Sequence, residues 1–153
     1  MFRLTHKIGI VLSTAALVTS ITAVQASAGT AAIYSLINVH SNLCLDGSIS
    51  QGVRLNTCNY DSTYQQWSFD AYDEGYQIKN VHSNLCLDGS ISQGVRLNTC
   101  NSGSPYQQWG EIEVGNLGRY TYTNAHSLRC LDGSISQGVR LNTCNYGTYQ
   151  QWY

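Results

Sequence analysis

Most of the chain beyond residue 28 is one segment written three times. Residues 38–59 read NVHSNLCLDGSISQGVRLNTCN, and residues 80–101 repeat the same 22 letters. Residues 130–145 repeat the last 16 of them, and each copy ends in Tyr-Gln-Gln-Trp, at residues 64–67, 106–109 and 149–152. Three copies predict a closed domain with pseudo-threefold symmetry, because a propeller needs at least four blades and a solenoid needs polar capping repeats.

Turn signals divide each copy into short strands. In the first copy the sequence predicts strands at 33–38, 43–46, 53–57 and 67–71, separated by dipeptides such as Asp46-Gly47 that favour tight turns. Four strands per copy give about twelve in an all-β domain, with repeats at about 33–70, 75–112 and 119–153. The composition, rich in Tyr, Asn, Ser and Gly, predicts no helix in this part of the chain. The three tryptophans are expected in the core.

The first 28 residues predict an export signal. Arg3 and Lys7 precede an uncharged apolar run over residues 8–24, and Ala-Ser-Ala at 26–28 is a small-x-small cleavage site. The exported chain is expected to form one domain, residues 29–153, without a membrane span. Its six basic and nine acidic residues give a net charge of −3. That charge argues against nucleic acid or anionic lipid as a partner, since both favour a clustered basic face.

All six cysteines lie inside the repeats, 14 residues apart within each copy. An even number of cysteines in an exported chain predicts disulfides, and six cysteines allow 15 pairings. Threefold symmetry favours pairing within each copy, which gives Cys44–Cys58, Cys86–Cys100 and Cys130–Cys144. The spacing without a Cys-x-x-Cys motif is poor for zinc, so we expect neither a metal nor a cofactor.

Cys-Leu-Asp, a second cysteine 14 residues later and then Gln-x-Trp, three times in register, resemble the ricin B-type lectins, also grouped as family 13 carbohydrate-binding modules. The resemblance covers residues 33–153. It implies a β-trefoil fold, cysteine pairing within each repeat and one shallow sugar pocket per repeat. The family's sugar-binding carboxylate falls on three positions, here called the repeat aspartates: Asp46, Asp88 and Asp132.

The resemblance also carries over to four other sets of residues. Where galactose-binding members have Gln and, two residues later, a stacking aromatic, this chain has the repeat arginines (Arg54, Arg96, Arg140) and the strand asparagines (Asn56, Asn98, Asn142). The loop asparagines follow the second cysteine of each copy: Asn59, Asn101 and Asn145. The repeat tyrosines precede Gln-Gln-Trp: Tyr64, Tyr106 and Tyr149. This variant pattern is similar to that of mannose-binding members with three repeats, which implies mannose-type glycans first and galactose-type ligands second.

These residue types suit a sugar. A carboxylate accepts two neighbouring hydroxyls in charge-assisted hydrogen bonds, an amide both donates and accepts, and a tyrosine offers a ring and a hydroxyl. Other interpretations stay open. The Asp-Gly pair also favours a turn, and the repeat tyrosines could be packing residues. The histidines at 40, 82 and 126 are expected to be solvated turn residues rather than metal ligands, and the first Gln of each Gln-Gln-Trp is expected to bond backbone.

The sequence does not favour an enzyme. It has no Gly-x-Ser-x-Gly, His-Glu-x-x-His or phosphate-loop motif. The repeat aspartates are equivalent copies, whereas glycoside hydrolysis needs two carboxylates with different roles. Glu111 and Glu113 have no counterparts in the other copies and are interpreted as part of a solvated linker strand. The alternative to a lectin is a trefoil that binds a protein partner, such as an inhibitor, through the unique stretches 68–76 and 110–119.

Overall fold

The computed structural model describes residues 32–72 and 75–153. The predicted export signal lies outside the described residues. Within them the chain forms eleven strands: β1 Ile33–Tyr34, β2 Cys44–Ser48, β3 Gly52–Asn56, β4 Trp67–Tyr72, β5 Gly75–Asn80, β6 Cys86–Ser90, β7 Gly94–Asn98, β8 Gln108–Glu113, β9 Tyr120–Asn124, β10 Cys130–Ser134 and β11 Gly138–Asn142. No helix in this part of the chain has the length and apolar character needed to cross a membrane.

The strands form a barrel and a cap. The order β1-β4-β5-β8-β9 makes the barrel wall, and all of its pairs are antiparallel. Trp152 closes the wall through isolated bridges to Asn38 and Tyr120, in the place where a twelfth strand was expected. The hairpins β2–β3, β6–β7 and β10–β11 contact one another through β3, β7 and β11 and form what we call the hairpin cap. This arrangement is the predicted β-trefoil.

A single turn of 3-10 helix ends at the first glutamine of each Gln-Gln-Trp segment. The three turns are Thr63–Gln65, Pro105–Gln107 and Thr148–Gln150. The prediction of no helix was therefore wrong at these three places. The backbone N–H of Gln65 donates to the carbonyl of Ser62 at 2.9 Å, three residues earlier, and the other two turns close in the same way. A 3-10 turn this short needs little intrinsic helix propensity, so composition does not reveal it.

The tryptophans form the centre of the core, as predicted. Trp67, Trp109 and Trp152 are fully buried. Their indole N–H groups donate to the carbonyls of Leu45, Leu87 and Leu131 at 3.0, 3.0 and 3.2 Å. Each indole also lies against the glycine of the Asp-Gly dipeptide, and a Cβ on Gly47 would lie 2.8 Å from Trp67 Cη2 and from Asn80 Nδ2. Packing therefore requires the glycine. The expectation of a turn at this dipeptide was wrong, because Asp46 and Gly47 lie within β2 and pair with β3.

The disulfides pair within each copy, as predicted. Cys44 bonds Cys58, and the other two copies repeat this pairing with Cα–Cα distances of 5.0 Å. Each bond ties the first residue of a cap hairpin to the loop that follows its second strand. Closing a loop of this length stabilises a fold by about 3 kcal/mol. The cap therefore holds its loops at fixed distances from its strands.

Candidate functional site

The first cap hairpin brings three predicted site residues together. Asp46 on β2 lies directly opposite Arg54 on β3 in the strand register, and Asn56 lies two residues further along the same face. The Asp46 side chain is almost fully buried. Its Oδ2 atom accepts hydrogen bonds from Gln65 Nε2 at 3.1 Å and from Asn56 Nδ2 at 3.5 Å. Arg54 Nη2 lies 3.5 Å from Oδ1.

The other two copies repeat this cluster with small differences. Asp88 accepts from Gln107 at 3.2 Å and from Asn98 at 3.4 Å, with Arg96 at 3.3 Å. Asp132 accepts from Gln150 at 3.2 Å, Asn142 at 3.4 Å and Arg140 Nε at 3.2 Å. The repeat aspartates are 3–4% exposed, whereas the side chains of the repeat arginines are 36–38% exposed. Each arginine therefore lies over a carboxylate and faces solvent on its other side.

One carboxylate oxygen distinguishes the first two copies from the third. Oδ1 of Asp46 and of Asp88 is buried and accepts no hydrogen bond, although an arginine lies within ion-pair distance. Oδ1 of Asp132 accepts the Nε–H of Arg140. Leaving a buried acceptor without a donor costs about 1–3 kcal/mol. The first two copies therefore each hold an acceptor that a hydroxyl donor would satisfy.

The first glutamine of each Gln-Gln-Trp links this cluster to the loop. Gln65 Nε2 donates to the Thr57 carbonyl at 3.1 Å, and Gln65 Oε1 accepts the backbone N–H of Asn59 at 2.8 Å. The prediction that this glutamine bonds backbone is confirmed. Its third bond, to the carboxylate of Asp46, was missed, because it joins residues 19 positions apart. The only signal for it in the sequence is that all three copies keep the glutamine.

The loop asparagines lie exposed beside the cluster. The side-chain oxygen of Asn59 accepts the backbone N–H of Asp61 at 3.2 Å, which closes a small turn, and Asn101 and Asn145 close equivalent turns. Gln65 therefore fixes the backbone of this loop residue while the turn fixes its side chain. The loop asparagines are joined to the repeat aspartates through the glutamine and not directly.

The repeat tyrosines pack against the next repeat. Tyr64 stacks on His82 with ring centroids 3.7 Å apart, and Tyr149 stacks on His40 at 3.8 Å. Tyr106 and His126 form the third pair, tilted, at 4.0 Å. The tyrosines remain 37–42% exposed. They are thus partly packed and partly exposed, one residue before the cluster glutamine in the same 3-10 turn.

The histidines are exposed turn residues, as expected, and they also contact the preceding repeat. Besides stacking, His82 Nδ1 lies 3.1 Å from Thr63 Oγ1, and His40 Nδ1 lies 3.3 Å from Thr148 Oγ1. Each histidine pairs with the preceding repeat, so the three lie at three separate junctions. Among residues 32–72 and 75–153, no group of three metal-binding side chains is brought together.

Glu111 is exposed on its strand, as expected, and it also contacts a core residue. It lies on β8, and its Oε1 accepts a hydrogen bond from the Tyr122 hydroxyl at 3.0 Å. Tyr122 is buried. Burial and the neighbouring Glu111 carboxylate raise the pKa of Tyr122 far above its usual range. Glu111 is thus a partner of a core tyrosine at one end of the barrel and not simply part of a solvated strand.

Comparison with known proteins agrees with this geometry. The sequence profile of the ricin-type beta-trefoil lectin domain matches residues 32–152. The chain belongs to this family. The described trefoil is therefore a carbohydrate-binding type of domain, and its three clusters occupy the repeats that define the family. A search of curated protein sequences finds no significant match.

Solved structures share the fold of this ricin-type domain. The designed threefold-symmetric protein ThreeFoil is 27% identical with a TM-score of 0.67, and the match covers 78% of this chain and 95% of ThreeFoil. The hemolytic lectin CEL-III is 28% identical with a TM-score of 0.65, covering 78% of this chain and 29% of CEL-III. A Polyporus squamosus lectin bound to a sialylated epitope matches at 14% identity and a TM-score of 0.66, over 80% of this chain and 48% of the lectin. At that identity the likeness shows the fold alone.

Proposed function

We propose that this protein is a secreted lectin that binds glycans at up to three equivalent sites and carries out no catalysis. Membership of a carbohydrate-binding family supports the ligand class. The observation that carries the proposal is the threefold cluster of a buried aspartate beneath a partly exposed arginine. Disulfides form in oxidising compartments, so the three bonds support secretion.

In this proposal a sugar hydroxyl donates to Oδ1 of a repeat aspartate, the carboxylate oxygen that lies beneath the arginine. The arginine above it shifts aside and donates its remaining N–H groups to a second hydroxyl. The loop asparagine donates and accepts at the edge of the ring, and the free face of the repeat tyrosine contacts apolar C–H groups. Because the cluster residues are the same in all copies, the three sites share one sugar preference.

Multivalency gives such shallow sites useful strength. Each site alone is expected to bind weakly, since the aspartate is already engaged by protein donors. Three sites on one rigid trefoil raise the avidity by about 10²- to 10⁴-fold when the target displays several matching sugars. A branched glycan with repeated terminal residues fits this requirement better than a single sugar does.

We propose mannose-type glycans as the first ligand. The chain lacks the stacking aromatic of galactose-binding members at the strand asparagines, and it has tyrosine before Gln-Gln-Trp. This pattern is similar to that of actinohivin, a small bacterial three-repeat lectin of the family that binds mannose termini. The repeat arginines depart from that pattern too. Galactose-type ligands are the second candidate.

A glycan array tests the proposal directly. The oxidised secreted protein is compared with a triple variant, Asp46→Asn, Asp88→Asn and Asp132→Asn, which keeps the size of each side chain. A control variant, Asp61→Asn with Asp70→Asn, removes charge from exposed positions outside the clusters. We expect the triple variant to lose at least about tenfold in binding, the effect of one strong polar contact, while the control binds normally.

Two results would overturn the lectin assignment. One is a folded triple variant, shown by its near-ultraviolet circular dichroism, that binds the same glycans as the parent. The other is a folded parent protein that binds no glycan at all. Loss of a protein partner after changes in residues 110–119 alone would instead support the protein-binding alternative. Mannose and galactose are distinguished by which group of glycans on the array retains the protein.

A further inference from the structure

The barrel has an open end opposite the hairpin cap, and this end contains a cavity of about 260 Å³ that we call the mouth cavity. Leu36 and Tyr122 are buried at its floor, and Tyr34 and Tyr153 are about half exposed at its rim. The cavity is therefore open to solvent and closed at its base. None of the repeat aspartates, arginines or tyrosines lines it.

Most of the described residues that line the mouth cavity are aromatic. Six rings contribute to it: Tyr34, Phe69, Tyr76, Tyr120, Tyr122 and Tyr153. Phe69 lies in the middle of this group, with its ring centroid 5.6–5.7 Å from those of three tyrosines. Among residues 32–72 and 75–153, the one charged residue that lines the cavity is Glu111. Its carboxylate is held by the Tyr122 hydroxyl at 3.0 Å, so the charge has a fixed position at the wall.

This lining favours positive charge. Aromatic rings carry partial negative charge on their faces, and a carboxylate adds a full negative charge beside them. Cations are attracted to such faces, and aromatic cages bind quaternary ammonium groups in this way. An anion would meet the carboxylate, and no cationic side chain in the described part of the chain lines the cavity to offset it. The guanidinium carbon of Arg119, which does not line the cavity, already lies 5.4 Å above the Tyr153 ring at the rim.

Two residues of the cavity, Glu111 and Tyr122, differ from their counterparts in the other copies. We call them the polar pair. Tyr34, Tyr76 and Tyr120 occupy equivalent positions in the three copies. Two residues further along, the copies have Leu36, Ile78 and Tyr122, and Phe69 of the first copy corresponds to Glu111 of the second. Both polar replacements meet in one hydrogen bond. If these positions served only to fill the core, we would expect apolar residues there, as at Leu36, Ile78 and Phe69.

We propose that the mouth cavity is a second binding site, distinct from the three outer sites, for a small organic cation such as a quaternary or protonated amine. The ring faces surround the apolar substituents of the ammonium group, and Glu111 offsets its charge. The volume accommodates an ammonium group with its substituents and leaves the rest of the ligand in solvent. A glycan bearing such a group, or a free amine, supplies the same chemistry.

Calorimetry with choline chloride tests the charge requirement. The matched ligand is 3,3-dimethyl-1-butanol, which has the shape of choline with carbon in place of nitrogen. We expect the oxidised protein to bind choline about fivefold more tightly than the neutral alcohol, since cation–π attraction at a site open to solvent has this size. Equal binding of the two ligands, or no binding of choline, would overturn the proposal.

Two variants on one strand test the role of the carboxylate. Glu111→Gln keeps an acceptor for Tyr122 but removes the charge, and Glu113→Gln removes the same charge from an exposed residue of β8 outside the lining. We expect the first to weaken choline binding about fivefold to tenfold and the second to leave it unchanged. Equal losses in both would show a nonspecific effect of net charge and overturn the proposal. Choline binding that survives in the triple Asp→Asn variant separates this site from the proposed sugar sites.

Discussion

The hairpin cap and the mouth cavity are built from the same three copies, but only the cap keeps the same residues throughout, whereas the mouth keeps them in part. In the cap, each repeat aspartate lies opposite an arginine in the same register, and each glycine lies against the tryptophan of its own copy. In the mouth cavity, Leu36 and Tyr122 stand at equivalent positions. The difference has a geometric cause. Cap residues act separately in three places, whereas mouth residues from all copies share one space at the axis.

Sharing one space allows the copies to differ. A cavity on the threefold axis holds one ligand, and a ligand without threefold symmetry is matched better by unequal walls. The cap has the opposite constraint, because each copy must independently meet the contacts of its own tryptophan and disulfide. Residues that are identical in all copies are thus those whose contacts lie within their own repeat. Residues that differ between copies are those whose contacts come from several repeats.

The largest effects are expected from the disulfides, and they should be equal. Changing both cysteines of one copy to alanine removes a bond that closes a loop of the same length in every copy. We expect each double variant to lower the free energy of unfolding by about 3 kcal/mol. Denaturation in urea measures this. Losses of unfolding free energy that differ by more than about 1.5 kcal/mol between copies would contradict the claim that the three disulfides are energetically equivalent.

The glycines of the Asp-Gly dipeptides should give the next largest losses. An alanine methyl at Gly47, Gly89 or Gly133 would lie 2.8–2.9 Å from the tryptophan and asparagine atoms beside it. Overpacking of this kind costs about 1–3 kcal/mol in unfolding free energy. The control is Gly103→Ala, whose added Cβ meets only a side-chain oxygen at 3.5 Å. A control that destabilises as much as the three cap variants would contradict the packing explanation.

Much of the cap could be predicted from sequence, because its determinants are local. The predicted strands 43–46 and 53–57 lie within two residues of Cys44–Ser48 and Gly52–Asn56, although the Asp-Gly dipeptide continues the first strand instead of turning. The stacking of Tyr149 on His40 could not be predicted, since it joins residues 109 positions apart through barrel closure. The bond between Glu111 and Tyr122 was missed for a related reason. Each of these residues differs from the repeat on its own, and the sequence does not show that the fold brings the two side chains into contact.

Making the mouth symmetric tests whether its polar pair acts as a unit. Glu111→Phe and Tyr122→Leu install the residues of the first copy at these positions. Glu111→Phe alone leaves the buried Tyr122 hydroxyl without its acceptor, which costs about 1–2 kcal/mol of unfolding free energy. We expect the double variant to recover most of that loss and to bind no choline. Urea denaturation of the four proteins gives the coupling energy, with Glu113→Phe as the control on the same strand. A purely additive double variant would mean that the two residues do not depend on each other.

The smallest expected effect concerns the one place where the cap itself is unequal. Oδ1 of Asp132 already accepts a hydrogen bond from Arg140, whereas Oδ1 of Asp46 and Asp88 accepts none. A sugar hydroxyl must displace that bond in the third copy, so its site should bind about threefold more weakly than the others, within the range of one modest hydrogen bond. Three proteins, each keeping one aspartate and carrying Asp→Asn at the other two, isolate the sites. Titration of each with the glycan selected on the array measures the ratio. A third site as strong as the first would mean that the arginine contact is exchanged without cost, and the cap would then be functionally as well as structurally threefold.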